Sequence, residues 1–200
     1  QSYVAGYDLT KTIRLDDEAA PGGSTRNARI GEDLIYRIEA HYFGAIFSNI
    51  VVTETLPTNL VIGAPYDAGS SGSITGWSWN AWLNTFTLPT PITSDGVFRV
   101  EFPVTVSNML ANQNGVVITN VAVSIFEVLG VTNATPTSMC TIVVLEPDLR
   151  IVKSVNTNNV QSGDTIYFTN VINHAAISTT TAYELVYSDT LPSGLTFSGI

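Results

Sequence analysis

Lysine is nearly missing from this 200-residue chain, which has only Lys11 and Lys153, and cysteine occurs once, as Cys140. One cysteine excludes an intrachain disulfide. Its setting, Cys140-Thr141-Ile142-Val143-Val144, marks a buried apolar thiol rather than a reactive one. Charged residues make up 12% and the formal net charge is −9. No basic stripe exists to neutralise phosphates, so a nucleic-acid partner is excluded. No apolar run approaches the roughly 20 residues of a membrane-spanning helix, so no membrane insertion is expected within the chain. No signal-peptide pattern is visible, and Gln1 suits a mature N-terminus left by cleavage as well as it suits a fragment boundary. Helical periodicity is nearly absent too.

The residues that run most enzyme chemistry are just as scarce. Of two histidines, His41 shares a strand face with Arg37 and Glu39, and His174 falls in a loop. There is no Gly-x-Ser-x-Gly elbow, no set of ligands at metal-binding spacing and no phosphate-cradling glycine loop. Asp16-Asp17-Glu18 matches no EF-hand pattern and reads as a solvated turn. The expectation is a chain that is not an enzyme, with no metal and no cofactor. The sequon Asn133-Ala134-Thr135 precedes Pro136, which weighs against its use.

What the chain does have is Thr, Val, Asn, Ser and Ile in period-2 alternation, the composition of a β-rich protein whose solvated faces carry hydroxyls and amides. Strands are expected over 8–14, 34–42, 48–55, 83–88, 97–106, 116–126 and 138–145. Turn clusters separate them, such as Pro21-Gly22-Gly23-Ser24 and Asn112-Gln113-Asn114-Gly115. About seven strands in one module predict an all-β, immunoglobulin-like β-sandwich.

Three landmarks then recur in the same order. They are a lysine after Asp-Leu, a Gly-acid pair, and an acid-Thr-Leu-Pro turn (Glu54-Thr55-Leu56-Pro57; Asp189-Thr190-Leu191-Pro192). Their separations are 142, 132 and 135 residues, from Lys11 to Lys153, Gly31 to Gly163 and Glu54 to Asp189. The pattern predicts tandem repeats, the first over 1–146 and the second, over 147–200, an N-terminal half module. Its strands are expected near 148–155, 165–173 and 183–189. The short junction Leu145-Glu146-Pro147-Asp148 predicts modules joined stiffly end to end.

Strand parity assigns each landmark a face. Lys11 lines up with Leu9 and Ile13, and Lys153 with Ile151 and Val155, so both face the apolar side. Glu54 lies in line with Ile50 and Val52, Asp189 with Leu185 and Tyr187, and Asn120 with Ile118 and Ala122. A lone buried charge is costly, so an inward lysine and an inward acid should meet. Two readings stay open. Lys11 and Glu54 can form an ion pair, or Lys11 can attack the Asn120 side chain with Glu54 as proton shuttle, leaving an isopeptide crosslink. In the second repeat only Lys11 and Glu54 have equivalents, Lys153 and Asp189.

The stretch from Pro147 to Lys153, then Gly163-Asp164-Thr165 and Asp189-Thr190-Leu191-Pro192-Ser193-Gly194-Leu195, resembles the repeat family called domain of unknown function eleven. That family occurs in tandem in large bacterial and archaeal surface proteins. The first copy is similar more loosely, with Thr119-Asn120-Val121-Ala122-Val123 resembling the family's asparagine strand. The resemblance implies secretion, an immunoglobulin-like fold and repetition. The Lys11, Glu54 and Asn120 arrangement is similar to that of isopeptide-forming pilin domains, which implies a bond between Lys11 and Asn120 with Glu54 as catalyst.

Two functional expectations follow. One is a structural cell-surface or extracellular fibre protein that assembles with itself head to tail, the half module being completed by further chain or by strands of another copy. The other is an adhesin-type binding module, with Trp77, Trp79 and Trp82 as candidate contacts. For Trp77 and Trp79 the core is the competing destination.

Overall fold

The computed structural model describes residues 6–72, 74, 76–135, 137–176, 178, 180–182 and 185–199. Every regular element among them is a strand. The chain divides into two compact units, Gln1–Leu145 and Glu146–Ile200.

In the first unit the strands are β1 (Gly6–Leu15), β2 (Thr25–Arg29), β3 (Asp33–Phe43), β4 (Phe47–Thr55), β5 (Leu60–Ile62), β6 (Tyr66–Asp67) and β7 (Ser78–Asn80). They continue as β8 (Thr85–Thr87), β9 (Gly96–Val106), β10 (Val117–Val128), β11 (Val131–Ala134) and β12 (Ser138–Leu145). One sheet runs β1-β3-β9-β5 with β6 added on β9, and the other runs β2-β12-β10-β4-β8-β7 with β11 added on β10. All pairs are antiparallel except β2 with β12. The two inner faces meet as an immunoglobulin-like β-sandwich. Ile13, Tyr36, Ile38, Phe98 and Val100 from one sheet pack with Ile50, Val52, Phe86, Ile118 and Ile142 from the other, all buried. Alternation put them there, because each is flanked in sequence by residues of the opposite face.

The seven expected strands all occur: the first is three residues longer than expected, four others gain one or two, 138–145 is unchanged, and 83–88 shrinks to Thr85–Thr87. β2, β5, β6, β7 and β11 are additions that alternation does not announce. They are short, and β11 is exposed throughout. Each is held by the backbone bonds of a neighbouring strand, and β2, β5 and β7 also lend Ala28, Leu60 and Trp79 to the core.

The outer face of the first sheet carries a ladder of charge. Arg37 stands opposite Glu101 and Glu39 opposite Arg99 in the β3–β9 register. Glu39 accepts from Arg99 Nε at 2.7 Å, Arg37 Nη2 at 2.9 Å and His41 Nε2 at 2.8 Å. Hydrogen bonding from Arg99 comes first among the causes that hold the Glu39 carboxyl far below its ordinary range. Glu101 accepts from Arg14 at 3.0 Å and from the Tyr66 hydroxyl at 2.8 Å. Glu18, expected in a solvated turn, accepts from the Leu15 amide at 3.0 Å and pairs with Arg26.

The second unit contains β13 (Leu149–Val155) paired antiparallel with β14 (Phe168–His174). Both were expected, although β14 begins three residues later than the pattern suggested. Of the strand expected at 183–189, residues 183 and 184 lie outside the described residues, and 185–189 form no strand. That stretch has alternation but no described neighbour to complete its backbone bonds.

The Gly-acid landmark proves to be a turn with one chemistry in both units. Gly31 and Gly163 take φ of 79° and 94°, where a side chain would be strained. Glu32 and Asp164 each accept from the backbone amide three residues earlier, Arg29 N at 2.8 Å and Gln161 N at 2.7 Å. An acid after the glycine therefore closes the turn, whether Glu or Asp supplies it.

Candidate functional site

Lys11 stands in the middle of β1, cross-strand from Ile38 of β3. β1 packs over β10 and β12 of the facing sheet, so a side chain pointing inward from Lys11 enters the gap between sheets. Glu54 and Asn120 enter it from the other side. Glu54 on β4 is opposite Ala122 of β10, and Asn120 is two residues along from Ala122 on the same face. Directly across from Asn120 on β12 is Cys140. Lysine comes from one sheet, acid and amide from the other.

The three groups are shut off from water. Lys11 is 3% exposed, Glu54 2% and Asn120 0%. The Lys11 ammonium donates to Glu54 Oε1. It also lies 4.8 Å from the Tyr36 ring centroid and 5.2 Å from that of Phe102, within the range of cation–π attraction. Around this pair the hydrogen bonding is unfinished. Glu54 Oε2, both amide atoms of Asn120 and the Tyr36 hydroxyl are buried with no hydrogen-bond partner in the protein. Leaving one such group unpaired costs about 1–3 kcal/mol, and four around one ion pair is a concentration that calls for a reason.

Burial pushes the Glu54 carboxyl above its ordinary range, with Lys11 and Asn120 pulling less strongly the other way. Burial also raises the Tyr36 hydroxyl, helped by Cys140 and Glu54 and opposed by Asn120. Cys140 is pushed up to about 12, chiefly by burial, so its thiol stays protonated and inert. The gap thus holds a carboxyl with a raised proton affinity, an amine beside it, and a desolvated amide.

Parity places Lys11, Glu54 and Asn120 on inward faces, and all three side chains are buried. It left Tyr36 unremarked, although Tyr36 lies in line with Leu34 and Ile38 on an inward face. The sequence around Cys140 marks a buried thiol but does not make it the neighbour of Asn120. Only the register between β10 and β12 supplies that.

The second pair is placed differently. Lys153 Nζ donates to both carboxylate oxygens of Asp189, at 2.6 and 2.7 Å, with side-chain exposures of 37% and 25%. Asn170, cross-strand from Lys153, donates to Asp189 at 3.5 Å. Lys153 lies 4.7 Å from the Phe168 ring. The hydrogen bond from Lys153 is the leading cause that lowers the Asp189 carboxyl.

The three tryptophans separate. Trp77 meets the buried Phe86 edge-on at 5.4 Å and Trp79 lies 4.3 Å from it, so both serve the core. Trp82 sits 96% exposed in the β7–β8 turn, where Asn80 accepts from its backbone amide at 3.0 Å.

No family model matches the chain, and no curated protein matches it. Solved structures do. Two structures of BcpA, the major pilin subunit of Bacillus cereus, match at TM-scores of 0.57 and 0.54 with 15% and 14% identity. Each match covers 84% of this chain and 53% of BcpA, so the chain spans about half the length of that pilin. The C-terminal domain of the Streptococcus agalactiae antigen I/II polypeptide BspA matches at 0.42 with 14% identity, over 68% of this chain and 49% of that one. At such identities the likeness to BcpA establishes the fold, an immunoglobulin-like β-sandwich.

Proposed function

We propose that the chain is a structural protein of a cell surface or extracellular appendage, built from tandem β-sandwich modules and reinforced by an isopeptide bond between Lys11 and Asn120. The observation that carries this reading is the buried Lys11–Glu54 pair beside an asparagine amide with no partner. The pilin-like fold supports it, as do the repeated landmarks and the Gly-acid turn shared by both units. Assembly is with further copies of the chain, head to tail.

The chemistry is an amide exchange. Glu54, whose carboxyl holds protons more readily than an exposed one, takes a proton from the Lys11 ammonium. The freed amine attacks Asn120 Cγ. As the Nζ–Cγ bond forms the carbonyl electrons move onto Oδ1; protonated Glu54 then gives its proton to the departing Nδ2, the Cγ–Nδ2 bond breaks as the carbonyl re-forms, and ammonia leaves. Glu54 collects the proton that Nζ still has to lose. The exchange also removes a buried, unpaired NH2 and gives Glu54 an amide N–H to accept. The bond would tie β1 to β10, one sheet to the other, closing a loop of roughly a hundred residues and restricting the unfolded chain by on the order of 4–5 kcal/mol.

Intact-protein mass tests the bond. The expected value is one ammonia below the sequence mass, returning to the full sequence mass in Lys11→Ala, and an unmodified wild type removes the crosslink. Filaments under negative-stain microscopy are the expected result for assembly, and a monomer at high concentration removes that part. The exposed Trp82 supports a second reading, an adhesin-type module on a surface stalk. Binding to a glycan array that is lost in Trp82→Ala would favour it.

A further inference from the structure

Tyr36 has a hydroxyl that its surroundings do not explain. The side chain is fully buried, and its inward neighbours along β3, Leu34 and Ile38, are aliphatic. Phe102 stands cross-strand with ring centroids 5.5 Å apart, which fixes the Tyr36 ring. A phenylalanine would fill this place without burying an unpaired polar atom. The Tyr36 hydroxyl has no partner, and the nearby Asn120 amide, whose oxygen and nitrogen also lack partners, is the group the proposed crosslink would transform.

We infer that Tyr36 is a catalytic residue of this crosslink, its hydroxyl donating to Asn120 Oδ1 as negative charge builds there. The inference rests on the isopeptide reading above. When Nζ adds to Cγ, the carbonyl electrons move onto Oδ1, and a donor waiting in a dry pocket stabilises that oxygen more than the resting carbonyl. Tyr36 keeps its proton throughout, so no bond to it forms or breaks. Burial, which disfavours the phenolate, holds it in the donor form. When the amide has formed, its oxygen still accepts from Tyr36 and its N–H donates to Glu54. The Tyr36 hydroxyl and the Asn120 oxygen, unpaired at the start, are then paired, and the unpaired Nδ2 has left as ammonia.

The test uses the full chain recovered unfolded from inclusion bodies, refolded, and sampled over time for intact mass. Wild type is expected to lose one ammonia. Tyr36→Phe is expected to lose it on the order of 10²-fold more slowly, with circular dichroism showing the same fold. Tyr42→Phe removes another buried, unpaired hydroxyl of β3 and is expected to react at the wild-type rate. Replacing Tyr36 with 4-aminophenylalanine restores a donor at the same point and is expected to recover most of the rate. This arm also decides the matter if Tyr36→Phe fails to fold. Tyr36→Phe reacting as fast as wild type, or the restored donor reacting no faster than Tyr36→Phe, overturns the role of Tyr36 and leaves the crosslink standing. A wild type that never loses ammonia overturns the crosslink itself.

Discussion

Lys11 with Glu54 and Lys153 with Asp189 are the same sequence landmarks in two units, yet they occupy opposite physical regimes. The first pair has no side-chain exposure, and the second keeps 37% and 25%. Burial raises the Glu54 carboxyl, whereas hydrogen bonding from Lys153 lowers that of Asp189. Both lysines lie over an aromatic ring. The ring and the acid are therefore not what separates them. The difference lies in what covers the pair: the first is roofed by β10 with Asn120 aimed at it, and no such strand stands over Lys153 among the described residues of its unit. A motif supplies the chemical groups, while enclosure decides whether they form a solvated ion pair or a desolvated one.

The largest effect expected from this contrast comes from deleting each lysine in turn. Lys11→Ala strands a buried carboxylate, a change that typically destabilises by on the order of 3–5 kcal/mol, and also removes the proposed crosslink. Thermal melting of the first unit should fall by well over 10 °C, since 1 kcal/mol shifts a domain of this size by about 2–8 °C. Lys153→Ala removes a partner that water can replace, and its melting temperature should stay close to that of wild type. Equal losses in the two variants would break the distinction.

A smaller effect is expected from Glu54. Glu54→Gln keeps shape and burial but cannot shuttle a proton, so the refolded protein should retain its full, uncrosslinked mass for hours while folding normally. Removing a general acid–base typically slows a reaction by about 10²–10⁴-fold. Rapid ammonia loss in Glu54→Gln, read by intact mass, would show that the acid only neutralises Lys11.

Much of this site is legible in the sequence, because a strand has a period of two. Once Lys11, Glu54 and Asn120 are placed on apolar faces, a dry meeting of the three is the economical outcome. Parity gives direction but not company. It could not say that Cys140 flanks Asn120, nor that the Tyr36 hydroxyl would be left unpaired, because both depend on inter-strand register. The Arg–Glu ladder was hidden for a related reason. Arg37, Glu39, Arg99 and Glu101 look like scattered solvated charges until β3 and β9 are laid side by side. The short strands β2, β5, β6, β7 and β11 escaped because partners hold them, and the Trp82 turn is legible only once Trp77 and Trp79 are seen to pack on Phe86.

The finest test of the contrast is its sign with pH. In Asn120→Ala, where no bond can form, Glu54 stays titratable in the folded state, and its carboxyl is raised above the unfolded value of about 4.3. Below that value both states are protonated and the contribution to stability is fully present. As pH rises past it the unfolded chain loses its proton first, so stability declines up through the folded pKa. Asp189 runs the other way. Its folded carboxyl is lowered, so its contribution is present above the unfolded value of about 3.9 and fades as pH falls through the folded one. Carboxyl-carbon NMR titration of Asn120→Ala should place Glu54 above and Asp189 below these reference values. Urea midpoints should decline more gently with rising pH when Glu54→Gln is added. If both carboxyls moved in one direction, enclosure would not be what divides the two pairs, and a difference between Glu and Asp would have to be sought instead.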